Sequence, residues 1–168
     1  MNFHNITHDD MNNGEGLRVV LWLAGCEHHC KDCHNAVTWN PDGGTEFTAK
    51  DANEIYCELE KDYVAGLTLT GGDPLHPANR EELAHFLPFV KLGWPDKTIW
   101  VYTGYTWEEI RRKPELRVLM KYVDVLVDGR FDHTLKSETY PWAGSTNQRV
   151  IDVQRTLQEG RVILHESN

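Results

Sequence analysis

Apolar, β-branched runs recur along the chain, and each ends in a polar or glycine-rich loop. Arg18–Leu23 (RVVLWL) leads into a cysteine cluster, and Gly66–Thr70 (GLTLT) into Gly71-Gly72-Asp73-Pro74. Lys97–Tyr102 (KTIWVY) closes on Thr103-Gly104, and Tyr122–Val127 (YVDVLV) on Asp128-Gly129. Helical patterns fall between them. Thr48 is placed to cap a helix with Ala52, Ile55, Tyr56, Leu59 and Tyr63 at helical spacing, and Leu83, Phe86, Leu87 and Val90 mark another. A short helical piece starts at Thr106, is interrupted at Pro114 and resumes before the fourth run. Strands alternating with helices predict an α/β fold with a mostly parallel sheet and right-handed crossovers. In such sheets ligands bind beyond the carboxyl ends of the strands, which is where all these loops fall. There are too few units for a complete eight-fold barrel of about 250 residues, so the pattern predicts an open, partial βα barrel.

The remaining segments are less regular. Residues 130–148 show no periodicity and read as a long loop. Arg149–Val153 and Arg161–His165 look like a late pair of strands joined by a Gln/Glu/Gly turn. At 168 residues the chain suits a single domain over residues 1–168.

Charge and hydropathy exclude several function classes. With 17 basic against 26 acidic residues the net charge is −9, which repels phosphate backbones and argues against nucleic-acid binding. No run approaches the roughly 20 apolar residues of a membrane helix. Leu23-Ala24-Gly25-Cys26 has the form of a lipoprotein processing site, but the residues before it carry Asp9, Asp10 and Glu15 against Arg18, where an export signal needs a basic start. The expectation is a cytoplasmic protein with no membrane partner.

The cysteines carry the chemistry. Three of the four fall at Cys26-x3-Cys30-x2-Cys33, so clustering points to metal in a reducing compartment rather than to disulfides. Soft thiolates suit iron–sulfur clusters, zinc and copper(I). A 4Fe-4S cluster used for electron transfer takes four cysteines, so three would leave one iron open to a substrate. Zinc held by these cysteines and one of His28, His29 or His34 is an alternative, although zinc sites usually pair two separated ligand hairpins. A redox dithiol at Cys30 and Cys33 is another, and it leaves Cys26 without a role. Cys57 lies in the first predicted helix beside its apolar stripe and reads as a small buried hydrophobe. Of the histidines near the cysteines, His34 is the candidate because it directly follows a ligand; His28 and His29 read as ordinary loop residues.

CxxxCxxC after a first strand resembles the signature of the radical S-adenosylmethionine superfamily. Further runs narrow the likeness: Asn13-Gly14-Glu15-Gly16-Leu17-Arg18, LWLAGCxHxCxxCHN, GGDP, YTGY, VDGRF and GSTNQRVIDV, spread over residues 13–153. Together they resemble the anaerobic ribonucleoside-triphosphate reductase activating proteins, which are glycyl-radical enzyme activases. Activases of the formate-lyase type are the alternative within the same chemistry; some carry an extra cluster insertion for which this chain has no cysteines.

The resemblance implies a partial barrel of the radical S-adenosylmethionine type and a set of roles. Cys26, Cys30 and Cys33 would hold three irons, and the open iron would bind the amino and carboxylate groups of S-adenosylmethionine. Gly71, Gly72, Asp73 and Pro74 match the motif beside the methionine amino group, with glycines allowing close approach and carbonyls or Asp73 accepting hydrogen bonds. Asp32, Cys33 and His34 would lie against the cofactor, and Asp32 stands where many members have an aromatic residue. No acid–base residue is required. The implied partners are the large subunit of an anaerobic ribonucleotide reductase, as the glycyl-radical protein, and a low-potential electron donor such as flavodoxin.

Overall fold

The computed structural model describes residues 1–167. Its strands are β1 (Asn2–Asp10), β2 (Leu17–Leu23), β3 (Thr45–Glu46), β4 (Val64–Gly71), β5 (Thr98–Tyr102), β6 (Val125–Asp128) and β7 (Arg149–Asp152). They form one seven-stranded sheet in the order β3-β1-β2-β4-β5-β6-β7. The strands read from the sequence, β2, β4, β5 and β6, pair in parallel and make the centre. The flanks are antiparallel: β1 on β2, β3 on β1 and β7 on β6. The sheet is open, with β3 and β7 at its two ends.

Strand β1 has no counterpart among the elements read from the sequence. Its pairing with β2 shifts register between Phe3 and Asn5 and again between Thr7 and Asp10, so apolar and polar residues never settle into alternation.

The helices follow their capping chemistry. In α1 (Ala49–Leu59) the Thr48 N–H donates to Asp51 Oδ2 at 2.7 Å, and Ile55 and Leu59 are buried. The helix stops at Leu59, so Tyr63, expected on its stripe, lies outside it and is exposed. Cys57 is also exposed rather than buried, because its position faces away from that stripe. Next come α2 (Pro77–Gly93), α3 (Trp107–Arg112) and α4 (Pro114–Arg117). Thr106 and Glu109 form a capping box at the start of α3, and Pro114 occupies the first turn of α4, where its missing N–H costs nothing. Of the expected terminal strand pair, the first is β7, and Ile163 and His165 bond back to it through Asp152 N and the Val150 carbonyl; the turn between them is corrected. A helix, α5 (Val153–Glu159), replaces the turn, capped by Asp152 and ended by Gly160 at φ 70°. Beyond it only an isolated bridge joins Leu164 to Ile151.

The helix-covered face of the sheet holds the main core, including Leu21, Leu69, Ile99 and Leu126. The opposite face carries Trp100, Val125 and Val127, with Tyr102, Trp142 and Val150 packed on them. Arg18, fully buried, spans that face: its guanidinium donates to Thr68 Oγ1, Thr98 Oγ1 and the carbonyls of Glu15, Leu67 and Thr98. Gly14, at φ 121°, lets the preceding loop close over it, since a Cβ there would sit 2.9 Å from Arg18 Cδ. The Asn13–Arg18 run is therefore a sheathed buried cation.

Candidate metal centre

The cysteine loop begins where β2 ends. Gly25, at φ 101°, turns the chain, and its N–H donates to the Thr38 carbonyl at 2.7 Å while Cys26 N–H donates to Trp39 at 3.0 Å. These bonds close the base of the loop. Within it His29 (φ 48°) and Asp32 (φ 59°) adopt the left-handed conformation, which Asp and His tolerate better than most residues. Asp32 thus answers to the backbone at a position where an aromatic residue would be less at ease.

Each loop sulfur meets backbone N–H groups. Cys33 Sγ accepts from Asn35 N at 3.4 Å, while the backbone amides of His28 and His29 favour the thiolate of Cys26 and that of Phe131 favours the thiolate of Cys30. Such donors favour a thiolate, but burial opposes it: desolvation, helped by the Asp73 charge, pushes the Cys26 thiol up to about 11, and burial raises Cys30 too. A bound cation reverses that balance, because metal binding displaces the thiol proton. Among the described residues no three His, Cys, Asp or Glu side chains converge as a single-ion site requires. A multi-iron cluster instead takes separate thiolates, one to an iron. The three free, partly exposed thiols on one loop fit that donor set.

The GGDP loop lies against the cysteine loop. Gly72 N–H donates to the Leu23 carbonyl and Asp73 N–H to Gly25, both at 2.7 Å. A Cβ on Gly72 would be 2.5 Å from the Gly25 oxygen, and one on Gly71 would be 2.8 Å from the Leu23 nitrogen. The space a side chain would take at these glycines is filled by the end of β2, so here the glycines bring two loops together. Pro74 is buried beside them.

Asp73 ties the region together. Its carboxylate, 2% exposed, accepts from Leu75 N at 2.8 Å, Thr103 Oγ1 at 2.9 Å, Gly104 N at 3.0 Å and His28 Nε2 at 2.6 Å. A carboxylate has about four lone-pair sites, so these contacts use its capacity on its own chain. His28, read as an ordinary loop residue, is the functional residue that sequence reasoning missed. Its ring is buried edge-on to Tyr105, with centroids 4.6 Å apart, and occupies the space left by Gly104. The signal for it in the sequence was its fixed place in the LWLAGCxHxCxxCHN run.

Of the predicted site residues, Cys26, Cys30 and Cys33 share one loop with Gly71, Gly72, Asp73 and Pro74 bonded beneath it. Asp32 and His34 are exposed on its surface, His34 leaning on Phe131 at 5.6 Å between ring centroids. Phe131 is held by the GSTNQR run. Gln148 accepts from the N–H groups of Gly144 and Ser145 and donates to the Gly129 carbonyl; Asn147 donates to Arg130; Arg149 pairs with Asp128 at 2.6 Å. That motif staples the base of the long loop.

A family described as a 4Fe-4S single cluster domain matches residues 12–151. A protein of Enterobacteria phage T4 is 45% identical over 150 residues, covering 89% of this chain and 93% of that one. Proteins of Pasteurella multocida (41% over 150 residues, 88% of this chain and 95% of that one) and Escherichia coli K12 (37% over 152 residues, 89% and 97%) are similar to nearly the same extent. All three are named anaerobic ribonucleoside-triphosphate reductase-activating protein. The chain belongs to that family. The matched segment of this activating-protein family member contains the cysteine loop, the GGDP loop and the whole of the loop that GSTNQR closes. Among the described residues no helix is long and apolar enough to cross a membrane.

Proposed function

We propose that this protein activates an anaerobic ribonucleoside-triphosphate reductase by generating a glycyl radical on its large subunit. The observation that carries the reading is the set of three free loop thiols at the carboxyl edge of the parallel strands in a chain of this family.

Cys26, Cys30 and Cys33 would hold a 4Fe-4S cluster with one iron free of protein ligands, where S-adenosylmethionine would bind. When bound, the cluster supplies one electron that splits the sulfonium–C5′ bond, giving methionine and a 5′-deoxyadenosyl radical that takes hydrogen from a glycine Cα. The protein's own part is placement. The backbone of Gly71–Pro74 borders the methionine end, and that of Asp32, Cys33 and His34 runs along the cofactor. Asp73 fixes the separation of these two walls through its bonds to His28, Thr103 and Gly104. No general acid or base enters, which agrees with the buried Asp73 carboxylate being spent on its own chain. A low-potential donor such as flavodoxin supplies the electron, and the chain works in the cytoplasm as one domain. Its open sheet is read as the partial βα barrel of the radical S-adenosylmethionine type.

The test is to mix the anaerobically reconstituted protein with a reductase of this class, reductant and S-adenosylmethionine. A glycyl-radical signal by electron paramagnetic resonance is expected, and its absence from a mixture that still cleaves S-adenosylmethionine would reject the partner.

A further inference from the structure

His28 stands between two proposed iron ligands, yet its side chain is only 5% exposed. The Nε2 lies 2.6 Å from Asp73 Oδ2, the ring sits edge-on to Tyr105, and a Cβ on Gly104 would meet His28 Cδ2 at 2.3 Å. The imidazole, carried by the loop after β2, is therefore gripped by the two loops that follow β4 and β5. The same residue belongs to the short segment that joins Cys26 to Cys30, and its backbone amide, with that of His29, favours the Cys26 thiolate. His29 is itself held at φ 48° with its ring stacked on Trp39, centroids 4.5 Å apart. Fixing the tip of the His28 side chain fixes the peptide groups that reach the sulfur.

We infer that His28 is a positioning residue which, through Asp73, holds the Cys26 amides in place and thereby sets both the retention and the reduction potential of the cluster. The inference rests on the proposed assignment of that cluster to Cys26, Cys30 and Cys33. N–H···S bonds stabilise the extra negative charge of the reduced state, so loosening them lowers the potential. Partner groups behind metal ligands typically change metal affinity about 10- to 100-fold. The same link runs on through Asp73 to the GGDP loop, so one hydrogen bond joins the two walls of the proposed cofactor site.

Two substitutions separate the ring's donor from its bulk. His28→Phe keeps a ring against Tyr105 and Gly104 but leaves Asp73 without that donor, whereas His28→Gln returns an N–H at similar reach. The full chain is reconstituted anaerobically, and iron release to a chelator and the cluster midpoint potential are measured. His28→Phe is expected to release iron about 10-fold faster or more, and to titrate at a lower potential. His28→Gln is expected to stay near the parent on both readings. If His28→Phe does not fold, His28→Asn, whose amide is too short to reach Asp73, takes its place with the same expected outcome. A donor-lacking variant that matches the parent on both readings overturns the inference, as does His28→Gln being equally impaired. A parent that takes up no iron overturns the cluster assignment itself, a separate failure.

Discussion

Asp73 and Asp128 stand at the carboxyl ends of the two parallel strands that flank β5, one after β4 and one on β6, and both are buried, at 2% and 1% exposure. Their partners differ. Asp128 is matched by a permanent cation: Arg149 donates to it from Nε and Nη2, and Trp107 adds a backbone N–H. Asp73 has no arginine or lysine; its bonds come from His28, Thr103 and backbone N–H groups. A buried carboxylate with a fixed counter-ion serves the fold, because its charge is already balanced. One without an arginine or lysine partner, beside the cysteine loop, faces the place where the proposed cationic sulfonium and ammonium arrive. Similar sequence contexts, a strand followed by Gly and Asp, thus give a staple at one place and an organiser of the site at the other.

The sharpest way to break this contrast is to neutralise each carboxylate in turn. Asp73→Asn is expected to speed iron release to a chelator about 10-fold or more, while Asp128→Asn leaves release unchanged and lowers only the melting temperature. Next in size, Arg149→Ala strips the counter-ion from Asp128. Urea denaturation should show a loss of about 3 kcal/mol, the low end for a broken buried pair because the guanidinium is partly exposed. Gly104→Ala is expected to cost about 1–3 kcal/mol by overpacking against His28, and on this account it also accelerates iron release, which an effect confined to stability would not do.

The smallest expected effect concerns pH. The Arg149 guanidinium holds the Glu108 carboxyl below the usual range. A depressed folded-state value stabilises above the unfolded pKa, near 4.3 for Glu, and that contribution is lost as pH falls through the folded value. The urea midpoint of the parent should therefore drop more than that of Arg149→Ala between about pH 5 and pH 3, where Glu takes up its proton.

The central parallel strands were legible because they are continuous apolar runs closed by turn residues, and the cysteine loop because three thiols within eight residues suit a metal far better than disulfides. Strand β1 was not, since its two register shifts erase alternation. Helix α5 was missed because it is seven residues long and buries only Val153 and Thr156, too little for a helical period. At the site, the kinds of residue were readable but their division of labour was not. Gly71 and Gly72 were read for close approach to a ligand, and the structure gives their missing side chains a further reason that the sequence does not show, the packing of Leu23 and Gly25 into that space. His28 looked like surface, because burial by Gly104 and Tyr105, far downstream in the chain, leaves no local mark.

The most direct test of the account is to incubate the anaerobically reconstituted parent and Cys30→Ala with reductant and S-adenosylmethionine, and to quantify metal, 5′-deoxyadenosine and methionine. The account predicts about four irons and four sulfides per parent chain, equimolar formation of both products, and none from Cys30→Ala. Stoichiometric zinc in place of iron, or undiminished product from the variant, would contradict it.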